Sequence, residues 1–320
     1  MSPTKRMPRK PNPLVPEGLK THPLRTRGGK VETAAFARPV PPGASFETFL
    51  GSLPDVLAGR DFRDFIGLVN KARRAGRPIL FGCGAHVIKV GLQPVLIDLM
   101  EHGFVQGLAL NGAGIVHDFE IAFAGRTSED VGERIRDGRF GAARETGEFL
   151  NRAVCDGVRD GLGIGAAVGR MIAGSRFPNR KLSLLAAGAR LGIPVTVHVG
   201  IGTDTIHFHP GADGAAIGEG SLRDFFTFAS LVGGLEGGVY VNVGSAVLLP
   251  EIFLKAVAFV RNQGVRLDGM TTAVFDFNRH YRPEENVVRR PLGKRGRGFY
   301  FVGPHEILIP LLAAGLKTLR

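Results

Sequence analysis

Residues 77–123 read RPILFGCGAHVIKVGLQPVLIDLMEHGFVQGLALNGAGIVHDFEIAF, and this stretch decides the fold. The apolar run at 78–82 predicts a buried strand, which is followed by a glycine turn and a helix over 86–102. The pattern repeats at once, with a strand over 104–110, a second glycine turn and a helix through Phe123. Buried strands that alternate with helices of ten or more residues indicate βαβ units and a parallel sheet.

The rest of the chain continues this alternation. We therefore predict an α/β, Rossmann-like, doubly wound and mostly parallel sheet flanked by helices, formed by one domain over residues 41–320. Further strands are predicted from residue 193 and over 238–243, 270–277 and 298–302. Helices are predicted over 46–57, 62–75, 182–191, 222–231, 247–262 and 304–319, with glycine-broken helices over 128–175. The stretch 275–298 has no regular period and is predicted to be a long loop.

The positive charge of the chain is confined to two segments. The formal net charge is +12, and residues 1–30 together with residues 279–297 account for all of it. The rest of the fold is neutral, which argues against a broad nucleic-acid surface. Residues 1–40 are basic and rich in proline and predict a disordered, solvated tail, and no contact with nucleic acid is expected except through this tail.

Composition also indicates the cellular compartment in which the protein is expected. No apolar run reaches the roughly 18 residues that span a bilayer, so no membrane partner is expected. The N-terminus has no apolar core that would make a signal peptide. Two cysteines, Cys83 and Cys155, are too few for a disulfide framework and predict a cytoplasmic protein.

Polar, glycine-rich segments follow the predicted strands. In a parallel α/β sheet, ligands bind outside the carboxyl ends of the strands, so these segments are expected to share one functional edge. They are GCGAH at 82–86, NGAGIVHD at 111–118, HVGIGTD at 198–204, NVGSA at 242–246 and FDFNRHYRPEEN at 275–286.

Two of these turns suit the phosphates of a nucleotide. Glycines let backbone amides approach a ligand, and the start of a helix favours an anion. The spacing does not complete the G-x-G-x-x-G fingerprint, and steric demand alone also explains glycine in tight turns. Ser245 fits a helix cap equally well. The predicted cofactor contacts are Gly82, Gly84, Ala85 and His86 in the first turn, and Gly244, Ser245 and Ala246 in the second.

The cluster His117, Asp118 and Glu120 lies beside another glycine turn, where a phosphate would favour no negative charge. Carboxylates in the first turn of a helix stabilise its dipole by roughly 0.3–1 kcal/mol, which explains one acid. The functional alternative is that these side chains bind ribose hydroxyls or a cationic amine. We take His117 and Asp118 as candidate catalytic residues and Glu120 as a candidate substrate ligand.

A histidine-rich segment permits a different class of enzyme. His198, Asp204, His207 and His209 fall within twelve residues, and histidine and carboxylate are common zinc or iron ligands. This favours a metal-dependent hydrolase as one alternative. Because no H-E-x-x-H pattern occurs, hydrogen-bonded or ligand-facing histidines are preferred and no metal is predicted.

From about residue 78 to its end, the chain resembles deoxyhypusine synthase and its relatives. The stretches that carry the resemblance are NGAGIVHD, GTDTIHFH, TTAVFDF, RPEENVVRRPLGK and HEILIPLLAA. The resemblance implies NAD as cofactor, spermidine or a related amine as substrate, and an imine formed by loss of hydride. It also implies transfer to an acceptor amine or a protein lysine, and a homotetramer.

The resemblance assigns further residues by position. It implies that Thr272, Ala273 and Asp276 contact NAD together with the turn of Asn111, Gly112, Ala113 and Gly114. Lys294 would carry the transferred group. A polyamine needs several carboxylates, for which Asp204, Glu251 and Glu285 are candidates beside Asp118 and Glu120, with His198 as a further substrate contact.

Two other functions stay open. The stretch His-Asp-x-Glu also resembles one in NAD-using ornithine cyclodeaminases, which implies an amino acid substrate. A non-catalytic nucleotide-binding module, whose basic tail engages RNA or a partner, would fit the same glycine turns.

Overall fold

The computed structural model describes residues 12–318 and contains a six-stranded sheet whose neighbouring strands are all parallel. The strand order is β3-β2-β1-β4-β5-β6, so the chain winds outward from β1 in both directions. The predicted doubly wound α/β fold is thereby confirmed. The strands are β1 (Ile79–Cys83), β2 (Gly107–Asn111), β3 (Val195–His198), β4 (Val239–Val243), β5 (Thr271–Asp276) and β6 (Arg297–Val302).

Helices connect these strands and close the chain. They are α1 (Phe46–Ser52), α2 (Leu57–Arg74), α3 (His86–Lys89), α4 (Gln93–Glu101), α5 (Gly112–Ala124), α6 (Val131–Arg134), α7 (Arg144–Arg159), α8 (Ile164–Gly174), α9 (Leu184–Leu191), α10 (Gly214–Gly233), α11 (Leu248–Asn262), α12 (Tyr281–Pro283) and α13 (His305–Thr318).

Helices cover both faces of the sheet, which is why β1 to β5 are buried almost throughout, whereas the edge strand β6 exposes its first two residues and its last. On one face, α10 and α11 bury Tyr240 and Phe253, whose rings stack with centroids 3.9 Å apart. On the other, α2, α4, α5 and α13 enclose a larger core in which Phe65 of α2 packs against Phe275 of β5. Strands buried on both faces read as continuous apolar runs without alternation.

Three local predictions need correction. The helix predicted over 86–102 is two helices, because Gly91 adopts a left-handed conformation with φ of +76° and ends α3. Helix α5 begins at Gly112, so His117 and Asp118 lie in its second turn and do not cap its start. The predicted loop over 275–298 contains α12 and a π-helical turn, Glu284–Arg289.

The predicted tail is described only in part. Residues 1–11 lie outside the described residues. Residues 12–40 form three short 3-10 turns and are almost entirely exposed. The end of this segment is tied to α1, because the Arg38 amide donates to the Ser52 carbonyl. None of the helices within residues 12–318 combines the length and apolar character needed to cross a bilayer.

Candidate functional site

The turns that follow β1 and β4 lie side by side where the strand order reverses. The Gly84 amide donates to the Val243 carbonyl over 2.8 Å, and the Gly244 amide donates to the Phe275 carbonyl over 3.0 Å. A Cβ atom at Gly84 would stand 2.1 Å from the Gly244 carbonyl oxygen. Only glycine permits this approach, and the two turns together form what we call the switch-point cleft.

Backbone amides of the switch-point cleft suit an anion. The amides of Ala85 and His86 in the first turn, and of residues 245–247 in the second, donate to no described residue. Helix α11 starts directly afterwards, at Leu248, and helix starts attract anions. The Ser245 hydroxyl accepts from the Leu249 amide over 3.2 Å and so satisfies one amide of the first turn of α11, while the backbone amide of Ser245 donates to no described residue.

A buried carboxylate stands beside this cleft at the end of β5. Asp276 is 1% exposed, and its Oδ2 atom has no hydrogen-bond partner among residues 12–318. Its Oδ1 atom lies 3.9 Å from Nε2 of His280. A carboxylate oxygen without a partner can accept a hydroxyl, so Asp276 fits a ribose. The rings of His86, Phe277 and His305 stand next to it, with centroids 5.4 to 6.2 Å apart.

The start of α5 is already occupied by a carboxylate of the chain itself. Asp204 is buried, its Oδ2 atom has no hydrogen-bond partner among residues 12–318, and a Cβ atom at Gly112 would stand 2.0 Å from that oxygen. The His207 ring lies 3.8 Å from the same oxygen. Desolvation raises the pKa of Asp204. Because this carboxyl group lies at the helix start, the turn of residues 111–114 is poorly suited to a phosphate, and the NAD contact that the resemblance implies there stays a prediction.

A cavity of about 680 Å³ opens beside α5 and is called the α5 pocket here. It contains the predicted residues His117, Glu120 and Asp204. Helix α3 joins it to the switch-point cleft, since His86 begins this helix and Lys89 ends it at the pocket wall, about 5 Å along the axis. Other lining residues include Ala113, Phe119, Phe123, Arg126, Thr127, Glu129, Phe140, Glu145 and Thr146.

Two threonines organise the polar wall of the α5 pocket. Nδ1 of His117 lies 2.6 Å from Oγ1 of Thr127, whose hydroxyl donates to Oε2 of Glu120. Oε1 of Glu120 accepts from the Thr146 hydroxyl over 3.2 Å. Burial, aided by the positive charge of Lys89, lowers the pKa of His117 to about 4. The imidazole is therefore neutral at pH 7.

Asp118 does not reach the α5 pocket. It is fully buried and accepts the Ser183 hydroxyl and the backbone amides of Leu184 and Leu185, so it caps the start of α9. We predicted a catalytic role from its neighbours in sequence. The side chains of residues 117 and 118 point in different directions on a helix, so Asp118 does not share the position of His117. The placement of Asp118 supports a structural role.

The buried carboxyl of Asp118 is expected to make the unfolding free energy depend on pH. Burial raises its pKa to about 6 against hydrogen bonds that lower it. The folded state therefore holds this proton more tightly than the unfolded state, in which the pKa is about 3.9. The stability from this site is present below about pH 4 and is lost as the pH rises through about 6. Relative to Asp118→Asn, we expect the wild type to lose about 2–3 kcal/mol of unfolding free energy between about pH 4 and about pH 7.

Urea unfolding of both proteins at the two pH values measures this difference. Groups that titrate in both proteins cancel in the comparison. A difference between wild type and variant that stays constant with pH would contradict the prediction.

Three further candidates do not line the α5 pocket. The Glu251 carboxylate is bound by Lys255, Arg282 and Asn286, and the Glu285 carboxylate by Arg289 and Arg290. The negative charges of Glu251 and Glu285, which we expected to bind an amine substrate, are thus already paired with side chains of the protein. Lys294 is exposed and precedes β6, so it lies at the amino-terminal edge of the sheet. Within one chain it is on the opposite side from the switch-point cleft, and its placement does not support a carrier role there.

Other candidates are buried inside the sheet. Gly82 packs against Tyr240, whose hydroxyl would stand 2.3 Å from a Cβ atom. The Thr272 hydroxyl donates to the Val287 carbonyl, and Ala273 has no exposed surface. His198 packs against Phe228 on the α10 face, where burial lowers its pKa to about 4. These side chains serve packing and do not face a cavity.

The four residues considered for a metal make separate contacts. His198 lies 3.1 Å from the Thr196 hydroxyl, and His209 lies 2.8 Å from the Gly141 carbonyl. Nδ1 of His207 accepts the Gly202 and Asp204 amides. Across residues 12–318 there is no set of three histidine, cysteine or acidic side chains arranged to hold a metal ion. The hydrolase alternative therefore has no support in this geometry.

Sequence reasoning missed the residues that complete the α5 pocket: Lys89, Arg126, Thr127 and Thr146. Lys89 lay inside what we predicted as one long helix, and no motif marked the two threonines. The break after Gly91 was the available signal, because a glycine in a helical pattern often ends the helix.

Comparison with known proteins identifies the fold. No protein-family model matches the chain, and no curated protein sequence does so either. Among solved structures, an arginine dihydrolase of the cyanobacterial ornithine–ammonia cycle, ArgZ, is 19% identical with a TM-score of 0.52, over 83% of this chain and 34% of that one. AgrE in ternary complex with ornithine and NAD⁺ is 19% identical with a TM-score of 0.53, over 81% and 33%.

A candidate deoxyhypusine synthase from Entamoeba histolytica is 13% identical with a TM-score of 0.52, over 87% of this chain and 94% of that one. The chain spans about a third of the length of ArgZ and AgrE and nearly the whole of the Entamoeba protein. At these identities the likeness concerns architecture. The chain therefore shares its α/β fold with AgrE, ArgZ and the Entamoeba protein.

Proposed function

We propose that this protein is an NAD-dependent enzyme that acts on an amine, with the cofactor in the switch-point cleft and the amine in the α5 pocket. The strand order, with two glycine turns meeting where it reverses, is the observation that carries the proposal, since this is the ligand position of dinucleotide-binding sheets. The free amides beside Gly84 and Gly244 would hold the pyrophosphate, and Asp276 a ribose. AgrE, which has the same fold, binds NAD⁺ and ornithine.

The α5 pocket supplies groups for a substrate that bears nitrogen. A bound nicotinamide would accept a hydride from the carbon attached to that nitrogen. Glu120, held by its two threonines, would bind the cationic nitrogen, and Nε2 of His117 would accept one of its hydrogens. Phe119, Phe123 and Phe140 line the wall and would exclude water during hydride loss.

Two cations in the same pocket favour an amino acid over a polyamine. Lys89 and Arg126 make no ion pair with any described residue, although both line the pocket. The pocket also holds four acidic residues, so a polyamine would bind these and leave the two cations without a partner, whereas the carboxylate of an amino acid would pair with a cation. Because Lys294 lies at the other edge of the sheet, we also favour hydrolysis or cyclisation of the resulting imine over transfer through a carrier lysine.

Calorimetric titration of the purified chain tests cofactor binding and substrate binding separately. We expect binding of NAD⁺, followed by binding and oxidation of ornithine, arginine or lysine in preference to spermidine or putrescine. Glu120→Gln should weaken amino acid binding at least tenfold and leave NAD⁺ affinity unchanged, because it removes a charge from the α5 pocket alone.

Glu148→Gln is the matched control, since Glu148 is exposed on α7 and does not line the pocket. This variant should bind both ligands as the wild type does. Absence of NAD⁺ binding would overturn the proposal. Equal loss of affinity in both variants would show that Glu120 has no specific part in it.

A further inference from the structure

His117, Thr127 and Glu120 form a continuous hydrogen-bonded chain along the wall of the α5 pocket. His117 and Glu120 lie three residues apart on α5 and share a face, and Thr127 reaches them from the segment after the helix. Gly125, with φ of +69°, ends α5 and turns the backbone so that Thr127 returns to the helix. The Thr127 side chain is half-buried, and no sequence motif marks it.

The number of available protons fixes the direction of these bonds. An ionised Glu120 can only accept, and a threonine hydroxyl has one proton. The Thr127 proton must therefore point to Glu120, and its oxygen accepts the Nδ1 proton of His117. In a neutral imidazole the remaining nitrogen, Nε2, then carries a lone pair. It has no partner among residues 12–318 and belongs to a ring that lines the pocket.

Burial, aided by the positive charge of Lys89, keeps the His117 ring neutral. The titratable and charged groups that line this pocket are Lys89, Glu120, Arg126, Glu129, Glu145 and Asp204. Lys89 and the loss of solvent both disfavour a proton on His117 and lower its pKa. The ring therefore presents an uncharged acceptor to the cavity at neutral pH.

We propose that Thr127 is a positioning residue that holds His117 in the Nδ1–H tautomer, so that Nε2 accepts an N–H group of the ligand. The inference deepens the proposed function, because it rests on a ligand with an N–H group in the α5 pocket. Thr127 touches no ligand in this scheme. It acts by denying His117 the Nε2–H tautomer, which would present a donor to an N–H group and repel it.

Nitrogen-15 NMR of the full-length chain reports the tautomer without any ligand. The His117 signals are assigned by their loss in His117→Asn. At neutral pH we expect a protonated Nδ1 in the wild type and in Thr127→Ser, and a shift toward protonated Nε2 in Thr127→Val. Thr146→Val is the matched control, because it removes the other hydroxyl from Glu120 and leaves the His117 bond intact.

Ligand titrations then link the tautomer to binding. We expect Thr127→Val to weaken amino acid binding at least tenfold, Thr127→Ser to restore it, and NAD⁺ affinity to stay unchanged. A protonated Nε2 in the wild type, or an unchanged tautomer in Thr127→Val, would overturn the inference. Because the tautomer is read without ligand, a failure of the proposed function alone leaves that measurement as predicted.

Discussion

Replacement of Gly84 by alanine is expected to abolish cofactor binding. The added Cβ atom would stand 2.1 Å from the Gly244 carbonyl oxygen and 2.8 Å from its carbon, and both are backbone atoms that cannot rotate away. The turn after β1 must then move from the turn after β4, so that the amides of the two turns no longer converge on one anion. We expect NAD⁺ affinity to fall at least about 100-fold, or about 2.7 kcal/mol, by calorimetric titration.

Gly67→Ala is the control for this change. Gly67 lies within α2, where a Cβ atom would meet open space, so the variant should bind NAD⁺ normally and gain about 0.5–1 kcal/mol of stability. If Gly84→Ala does not fold, Ala246→Asp tests the same seat by placing a carboxylate beside the free amides. Normal NAD⁺ binding by Ala246→Asp, or by a folded Gly84→Ala, would remove the switch-point cleft as the cofactor site.

Replacement of Asp224 by alanine is expected to cause a large loss of stability. Its Oδ2 atom accepts the Gly165 amide over 2.9 Å and the Val197 amide over 2.8 Å, which joins the start of α8 to the edge strand β3. The side chain is 3% exposed, so the variant would leave two buried amides without partners. At about 1–3 kcal/mol for each unpaired group, we expect the unfolding free energy to fall by about 3–5 kcal/mol.

Asp213→Ala provides a matched comparison on the same helix. Asp213 also accepts two amides, those of Ala215 and Ala216, but it is exposed at the start of α10. Water can replace this cap, and a loss of about 1 kcal/mol is expected. Denaturant unfolding measures both changes. Equal losses in the two variants would show that burial does not set the contribution of Asp224.

Sequence patterns were sufficient for the fold class and for the functional edge of the sheet. Apolar strands alternating with helices determine a parallel sheet, and the carboxyl ends of parallel strands meet at one edge, so the turns at Gly84 and Gly244 were expected at that edge. That they are neighbours follows from the strand order, which the sequence pattern does not give. The position of Lys294 could have been foreseen on the same grounds. Lys294 precedes the last predicted strand, and the start of a parallel strand lies at the opposite edge from its end.

The α5 pocket was harder to predict because it depends on which way single side chains point. Asp118 was grouped with His117, but consecutive helical residues are rotated by about 100°, so that Glu120 and not Asp118 shares the His117 face. Lys89 reaches the pocket only because α3 ends after one turn. The contacts of Thr127 and Thr146 come from separate segments and leave no periodic trace in the sequence.

Asp204 at the start of α5 also bears on which metabolites can enter. The start of a helix usually binds phosphate well, yet here an incoming phosphate would meet the buried carboxyl of Asp204 beside Gly112. We therefore expect the start of α5 to bind phosphorylated compounds less well than their unphosphorylated counterparts. In the proposed function, Asp204 would then contribute to the choice of substrate without contacting the reacting carbon.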